Sequence, residues 1–300
     1  MNIFKKEIPF IQYQKYLVAL SILLTLIFLF LIFKFGLHFG IDFTGGIKLQ
    51  YKLEKSVDIA EINSALTKSL EEKFVVQQYG AASANTYSIE IERPEDAIEG
   101  FSEKITQALN SGIAGSSPTL QKEEAVGPKA GQELRRKGEL AVLITWILIL
   151  VYIGFRFDFY FSPGAIIALV HDLIITLGFF AISGREISLT VLAAFLTLLG
   201  YSVNDTIIVY DRVRENAKKY KAMPLPELVN KSINETLSRT IVTSVVVFFV
   251  VFVLYVMGQG DIKDFAFVMI VGVVTGTYSS IFIASPIYIY LKKKFPQKGK

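Results

Sequence analysis

Six long apolar segments constrain this chain more than any other feature of its sequence. A helix needs about 20 mostly apolar residues to cross the hydrocarbon core of a bilayer. The segments lie at 16–35, 139–156, 161–182, 187–210, 240–258 and 265–291. Because 52% of the residues are hydrophobic, far more than a soluble core requires, we predict a polytopic α-helical membrane protein with six transmembrane helices.

The distribution of basic residues around these segments predicts an orientation. The N-terminus, the stretch between the fourth and fifth segments and the C-terminus are all rich in Lys and Arg. Cytoplasmic loops carry such an excess, so both termini, 1–15 and 292–300, are expected in the cytoplasm. Arg135, Arg136 and Lys137 disagree, but long translocated domains tolerate charge. The first segment is expected to stay uncleaved, since no small-residue cleavage site follows it.

The residues between the first two segments, 36–138, predict an extracytoplasmic α+β domain. Alternating or β-rich runs indicate strands, and apolar residues at helical spacing indicate helices. The predicted strands are 47–53, 74–79, 86–92 and 119–125, and the predicted helices are 58–72 and 95–109. The resulting order, β-α-β-β-α-β, is the ferredoxin-like pattern. That fold hosts many functions and identifies none.

A glycine-rich motif, Gly40-Ile-Asp-Phe-Thr-Gly-Gly46, directly follows the first segment. It lacks the Gly-Lys-Ser/Thr of a phosphate-binding loop. We interpret Gly40, Asp42, Gly45 and Gly46 as a structural motif, a tight turn from a helix into a strand. The stretch 126–134 is likewise expected to be a connector that leads into the second helix.

Asp205 is the first candidate functional residue, because it lies with Asn204 inside the fourth apolar segment. We expect it about five residues from the cytoplasmic end of that helix. A charged residue in a transmembrane helix costs about 2.5–3.5 kcal/mol on insertion scales, which favours a functional role. The alternative is a polar residue that only packs helices together.

His171 and Asp172 form a second polar pair, midway along the third segment. Proton relay and helix packing are equally compatible with it. Arg239 is expected to begin the fifth helix at the cytoplasmic boundary, where snorkelling to the interface is the alternative to a functional role. A small-residue stripe in the sixth segment predicts a close-packing face for another helix, and it consists of Gly272, Gly276, Ser280 and Ala284.

Several functional classes are excluded by what the sequence lacks. The absence of cysteine excludes disulfides and thiolate metal sites. There is no Walker motif, metal-ligand cluster or catalytic triad, so neither an enzyme nor a bound cofactor is expected. The basic residues lie at the ends of apolar segments, which argues against nucleic-acid binding. A membrane protein without nucleotide chemistry must draw energy from an ion gradient or a partner.

Several motifs, met in order along the chain, together resemble the SecF proteins of the SecD/SecF family, bacterial protein-export membrane proteins of the resistance-nodulation-division (RND) superfamily. The motifs are Gly40-Ile-Asp-Phe-Thr-Gly-Gly46, Gly200-Tyr-Ser-Val-Asn-Asp-Thr206, Tyr210-Asp-Arg-Val-Arg-Glu-Asn216, Thr236-Leu-Ser-Arg-Thr240, His171-Asp172 and Gly276-Thr-Tyr-Ser-Ser280. Tyr210 departs from the pattern, since a smaller or different apolar residue is expected there.

This resemblance implies an accessory subunit of the Sec machinery in the bacterial inner membrane. Such a subunit pairs with a SecD-like protein beside the SecYEG channel, with YajC and YidC as further expected partners. It uses the proton motive force to help complete translocation of a polypeptide across the bilayer. The resemblance maps the family's essential membrane aspartate onto Asp205 and its essential arginine onto Arg239. Because arginine always stays charged, it could respond to the ionisation of Asp205.

Two other functions remain open at this point. An ion-driven RND exporter of a solute or lipid would need a substrate path. A scaffold that only stabilises the channel would tolerate Asp205→Asn.

The predicted orientation is testable because the chain contains no cysteine. A single Ser83→Cys substitution should react with an impermeant maleimide in intact spheroplasts, whereas Gln297→Cys should not. The reverse labelling pattern would contradict the topology.

Overall fold

The computed structural model contains six long helices and a sheet-containing domain, and it describes residues 7–79, 84–92, 100–157 and 160–295. Ser83, Gln297 and the first residues of the helix predicted at 95–109 lie outside these residues, as do parts of both predicted cytoplasmic termini. All six helices are long and apolar enough to cross a membrane. The protein is therefore a multi-pass membrane protein.

The chain begins with a single helix and then forms the domain. A 3₁₀ turn (Phe10–Tyr13) leads into α1 (Gln14–Phe35). The elements that follow are β1 (His38–Phe39), α2 (Ile41–Thr44), β2 (Gly46–Lys52), α3 (Ile59–Thr67), β3 (Phe74–Tyr79), β4 (Thr86–Ile91), α4 (Phe101–Gly112) and β5 (Thr119–Val126).

The remaining elements form most of the helix bundle. They are α5 (Pro128–Arg156), α6 (Ser162–Ser183), β6 (Glu186–Ile187), α7 (Leu189–Lys219), α8 (Leu225–Met257) and α9 (Asp261–Ser279), which continues through a π-helical segment (Ser280–Ala284) into α10 (Ser285–Lys294). The most buried helices are α6, α7 and α9, whereas α1, α5 and α8 lie mostly on the outside.

The domain is a four-stranded antiparallel sheet with two helices on one face. Its strand order is β3-β4-β2-β5. The alternate residues Ile47, Leu49 and Tyr51 of β2 point into a core that Leu66 of α3 and Leu109 of α4 close from the other side. The alternation visible in the sequence therefore marks the covered face of the sheet.

The glycine-rich motif forms one turn of helix, α2, and then two residues with positive φ angles. Gly45 and Gly46 have φ angles of +75° and +145°, which L side chains rarely adopt. A Cβ atom on Gly46 would collide with the carbonyl oxygen of Ile91. Gly40, in contrast, has an ordinary φ of −70° and does not require glycine's freedom.

The prediction of a connector at 126–134 is wrong, because α5 begins at Pro128. Proline is favoured in the first turn of a helix, where its missing N–H has no intrahelical partner. The helix therefore starts eleven residues before its apolar part, and Gly131 packs tightly against the backbone of Phe43 and Gly45.

The predicted ends of the fourth and fifth helices are also wrong. The fourth continues past Tyr210 to Lys219, so Asp205 lies well inside α7. The fifth begins at Leu225, so Arg239 lies in the middle of α8 instead of at its start. Both extensions are amphipathic: Val213 of α7 and Val229 and Ile233 of α8 share one buried core, while charged side chains face outward.

The small-residue stripe of the sixth segment contacts α7 of the same chain. A Cβ atom on Gly272 would collide with Leu198, and one on Gly276 would lie 3.0 Å from Cβ of Ser202. The stripe thus lets α9 approach α7 closely.

Among the described residues, β1 and the side chain of Asp42 help to seat the domain on the bundle. The short strands β1 and β6 pair in parallel, with His38 opposite Glu186. Asp42 of α2 accepts a hydrogen bond of 2.8 Å from the backbone N–H of Leu189, at the start of α7. A negative side chain at a helix N-terminus is favourable because free N–H groups point toward it.

Gly46→Ala should destabilise the protein by about 1–3 kcal/mol, because the new side chain requires both a strained backbone and a shift of β4. The neighbouring Gly127→Ala is the control, since it has an ordinary φ and its Cβ would meet open space. Thermal unfolding in detergent measures both. Equal unfolding temperatures for the two variants would contradict the role assigned to Gly46.

Candidate functional site

Asp205 is fully buried among three spanning helices. Its Oδ2 accepts long hydrogen bonds from Ser244 of α8 (3.4 Å) and Thr277 of α9 (3.5 Å). These two hydroxyls also contact each other at 2.7 Å, and Tyr201 donates to Ser244 at 3.2 Å. The other carboxylate oxygen, Oδ1, has no hydrogen-bond partner in the described part of the chain. One oxygen of this carboxyl group is therefore open to protonation.

Asp172 is equally buried but much more firmly held. Its Oδ2 accepts short hydrogen bonds from Ser202 of α7 (2.6 Å) and Ser279 of α9 (2.7 Å). Its Oδ1 lies 3.0 Å from Nδ1 of His171, the preceding residue on α6. Three helices thus meet at this one side chain.

His171 connects this cluster to the first helix. Its ring lies 6.2 Å from that of Tyr278, centroid to centroid. The Tyr278 hydroxyl donates to the backbone oxygen of Leu17 at 2.8 Å and lies 2.8 Å from Oγ of Ser21. Nε2 of His171 is buried and, among the described residues, has no partner.

The two carboxyl groups share the same pair of helices. Ser202 and Asp205 lie almost one turn apart on α7, and Thr277 and Ser279 lie two residues apart on α9. Hydroxyl groups both donate and accept hydrogen bonds, so they can stabilise a carboxyl group in either protonation state. The arrangement can therefore accommodate proton exchange within the bundle.

Asn204 and Arg239 lie on the surface of the bundle, not in its polar interior. Both side chains are exposed, and they line a cavity of about 440 Å³ between α7 and α8. Arg212 and Glu235 face the same cavity and form an ion pair at 2.7 Å. Asp205 and Arg239 are both described, and no ion pair joins them. The structure thus groups His171 with Asp172 and Asn204 with Arg239, with Asp205 held separately.

The sequence analysis missed the hydroxyl partners of the carboxyl groups: Ser202, Ser244, Thr277 and Ser279. Each is a polar residue within an apolar segment, and Ser202, Thr277 and Ser279 also lie in the motifs that carry the family resemblance. Thr240 is a further polar residue in an apolar segment, but its buried hydroxyl has no partner within the described ranges.

Comparison with known proteins identifies the family of the chain. A family model described as "Protein export membrane protein SecD/SecF, C-terminal" matches residues 105–294, and one described as "SecD/SecF GG Motif" matches residues 30–57. The chain belongs to the SecD/SecF family. The second match covers the glycine-rich motif that seats the domain, and the first covers most of the helix bundle.

Relatives within the SecD/SecF family align over nearly the whole chain. "Protein translocase subunit SecF" of Magnetococcus marinus is 41% identical over 97% of this chain and 94% of the relative. The protein of the same name from Petrotoga mobilis is 39% identical over 96% of this chain and 97% of the relative.

Among solved structures, a crystal structure of SecDF, a translocon-associated membrane protein from a Thermus species, superposes with a TM-score of 0.88. It is 33% identical over 98% of this chain, but the matched part is only 40% of the SecDF chain. A second structure, of SecDF in a super-membrane-facing form, has a TM-score of 0.72 over the same shares. The present chain thus corresponds to less than half of that larger protein.

Removing either serine that holds Asp172 should weaken the bundle. Ser202→Ala and Ser279→Ala each delete one interhelical hydrogen bond, which stabilises membrane helices by about 0.6–1.7 kcal/mol. Thermal unfolding in detergent measures the loss. The control is Thr197→Ala, whose exposed hydroxyl bonds only to Ala193 of its own helix. Serine variants that unfold at the control's temperature would contradict this role.

Proposed function

We propose that this chain is an accessory subunit of the Sec protein-export machinery that uses the proton motive force. Together with a SecD-like partner, it promotes the completion of polypeptide translocation through the SecYEG channel, and YajC and YidC are further candidate partners. It resides in the bacterial inner membrane with both termini in the cytoplasm. It needs no cofactor and is not an enzyme, since the proton gradient supplies the energy.

The observation that carries this proposal is the environment of Asp205. A fully buried carboxyl group with weak hydrogen bonds and one unpartnered oxygen is a poor structural anchor. Asp172, with two short serine hydrogen bonds, shows what a well-anchored carboxyl group looks like in this bundle. Asp205 is thus better suited to gaining and losing a proton than to holding helices together.

Protonation of Asp205 would change how α7, α8 and α9 pack. An ionised carboxylate accepts hydrogen bonds only, whereas a protonated one also donates. A proton on Oδ1 removes the negative charge, which weakens the hydrogen bonds that Oδ2 accepts from Ser244 and Thr277 on two different helices. Each change of protonation state therefore favours a different arrangement of the three helices.

Arg239 enters this cycle as a fixed positive charge in the middle of α8, beside the cavity between α7 and α8. It lies five residues before Ser244, about 7.5 Å along the helix axis. An ion pair between Arg239 and Asp205 would form in a rearranged state, after the carboxyl group loses its proton. The arrangement described above then corresponds to the unpaired state.

A partner subunit is supported by the surface of α7 and α8. Asn204 and Arg239 are exposed beside the apolar part of α8, whose outward side chains include Val246 and Phe249. Polar groups at the edge of the hydrocarbon core are costly when they face lipid. A SecD-like subunit that packs on this face would shield them.

The external domain supplies the part that contacts the exported chain. Its strand order and its β-α-β-β-α-β element order support the ferredoxin-like class. Since β1 and β6 connect it to the start of α7, a shift of that helix would move the domain.

The decisive experiment measures uncoupler-sensitive export in inverted vesicles that contain each variant at matched membrane levels. Asp205→Asn keeps the size of the side chain but removes its titration, so the proton-driven stage of export should stop while ATP-driven initiation continues. Asp205→Glu keeps a titratable group and should retain partial activity.

The control is Glu139→Gln, at an exposed site on α5 where Arg135 pairs with it. Exposed pairs of this kind contribute little, so export should be unchanged. Normal uncoupler-sensitive export by Asp205→Asn would favour a scaffold without proton coupling instead.

A further inference from the structure

A cluster of charged side chains lies where the open face of the sheet meets the loops of the bundle. Lys48 of β2 and Glu90 of β4 form an ion pair, with Nζ and Oε1 2.5 Å apart. Glu186 of β6 brings a second carboxyl group, whose Oε2 lies 3.7 Å from the same ammonium nitrogen. Gln77 of β3 donates from Nε2 to Oε1 of Glu186 at 2.9 Å. Three strands of the domain therefore meet one residue of the bundle.

The two carboxyl groups share a single ammonium group in a shielded place. The side chains of Glu90 and Glu186 are each only 11% exposed. Burial raises the pKa of Glu186 to about 9, and a hydrogen bond with Glu90 and the negative charge of Glu90 act in the same direction. Burial opposes the charge on Lys48, but Glu90 and Glu186 raise the pKa of this lysine overall. At neutral pH, Glu186 is therefore protonated and Lys48 is charged.

The other charged side chains that line the cavity at this cluster carry no net charge. Asp261 and Asp264 at the start of α9 contribute two negative charges, and Arg185 and Lys263 contribute two positive ones in the same cavity of about 330 Å³. Arg185 forms an ion pair with Asp264. Together with the Lys48 and Glu90 pair, the cluster is neutral while Glu186 is protonated. His38 lies opposite Glu186 in the β1–β6 pair, and Lys73 and Glu92, of opposite charge, line a second cavity that Glu186 faces. Ionised Glu186 adds one negative charge to these groups.

We propose that seating the external domain on the helix bundle takes up one proton at Glu186, from the compartment that the domain occupies. This protonation site is outside the membrane and separate from Asp205. The proposal rests on the proposed function only for the identity of the compartment that the domain faces. When the domain lifts away, water surrounds Glu186, and its carboxyl group returns to the ordinary pKa of glutamate, about 4.3.

The direction of the pH dependence follows from this difference. Between the ordinary pKa of glutamate in the lifted state and the pKa of about 9 in the seated state, the seated state binds one more proton than the lifted state. Within this window, each rise of one pH unit should lower the ratio of seated to lifted molecules about tenfold. Acid on the outer side therefore holds the domain down, and alkali releases it.

Ser88 provides a reporter for this equilibrium. It is 6% exposed, lines the same cavity, and its hydroxyl has no partner in the described part of the chain. Because the chain has no cysteine, Ser88→Cys introduces a single thiol that is hidden while the domain is seated. A second protein carrying Thr119→Cys, on the exposed strand β5, corrects for the pH dependence of the thiol itself.

The experiment measures maleimide labelling of the purified full-length protein in lipid nanodiscs between pH 5.5 and 8.5. Labelling at position 88, relative to position 119, should accelerate up to about tenfold per pH unit. Adding Glu186→Gln keeps a neutral group of similar shape, so labelling should stay slow at every pH. Glu123→Gln, on the exposed edge of the sheet, is the control and should retain the wild-type slope.

Glu90→Gln provides an independent variant in case Glu186→Gln does not fold. It removes the competing carboxylate, so ionised Glu186 pairs with Lys48 alone and the slope should flatten over the same range. A flat profile without these substitutions, or an unchanged slope in both glutamine variants, would overturn the proposal. The assay contains no partner and no exported polypeptide, so its failure would leave the role of Asp205 in export unaffected.

Discussion

Hydrocarbon offers no hydrogen bonds, so a polar group that this chain carries into the bilayer is costly unless it finds a partner inside the helix bundle. The small-residue stripe makes this possible. Gly276 lets α9 approach α7 at Ser202, and the same Ser202 donates to Asp172 on α6. A larger residue at position 276 would push apart the two helices that together hold the carboxyl group. In this bundle, the close packing of α7 and α9 is therefore what allows the buried carboxyl group to form its hydrogen bonds.

The same constraint distinguishes the two buried aspartates. Both are completely inaccessible to solvent, yet one has short hydrogen bonds and the other has long ones. Hydrogen bonds to both carboxylate oxygens hold Asp172 in one geometry, which suits a residue on which three helices converge. Asp205 has only long hydrogen bonds, and one of its oxygens has no partner in the described part of the chain. More than one arrangement of this side chain is therefore close in free energy, as a change of protonation state requires. Burial alone would not have separated these roles.

Much of the fold could be predicted from the sequence, because its signals are local. The strand at Phe74–Tyr79 was predicted with its observed bounds, and alternation marked the covered face of β2. Hydropathy located the spanning segments but not the ends of their helices, since α7 and α8 continue as amphipathic helices beyond the apolar part. The length of an apolar segment matches the thickness of the bilayer, whereas packing against neighbouring helices decides where a helix ends.

The candidate site was only partly visible for a related reason. A carboxyl group in an apolar segment stands out in any sequence, but the serine that binds it is as ordinary as any other serine. The hydrogen-bond partners of Asp205 could not be read from the sequence either, because they depend on which way each side chain faces around its helix. Arg239 and Ser244 are five residues apart, which turns their side chains about 140° from each other around α8. Ser244 therefore faces Asp205, whereas Arg239 faces outward.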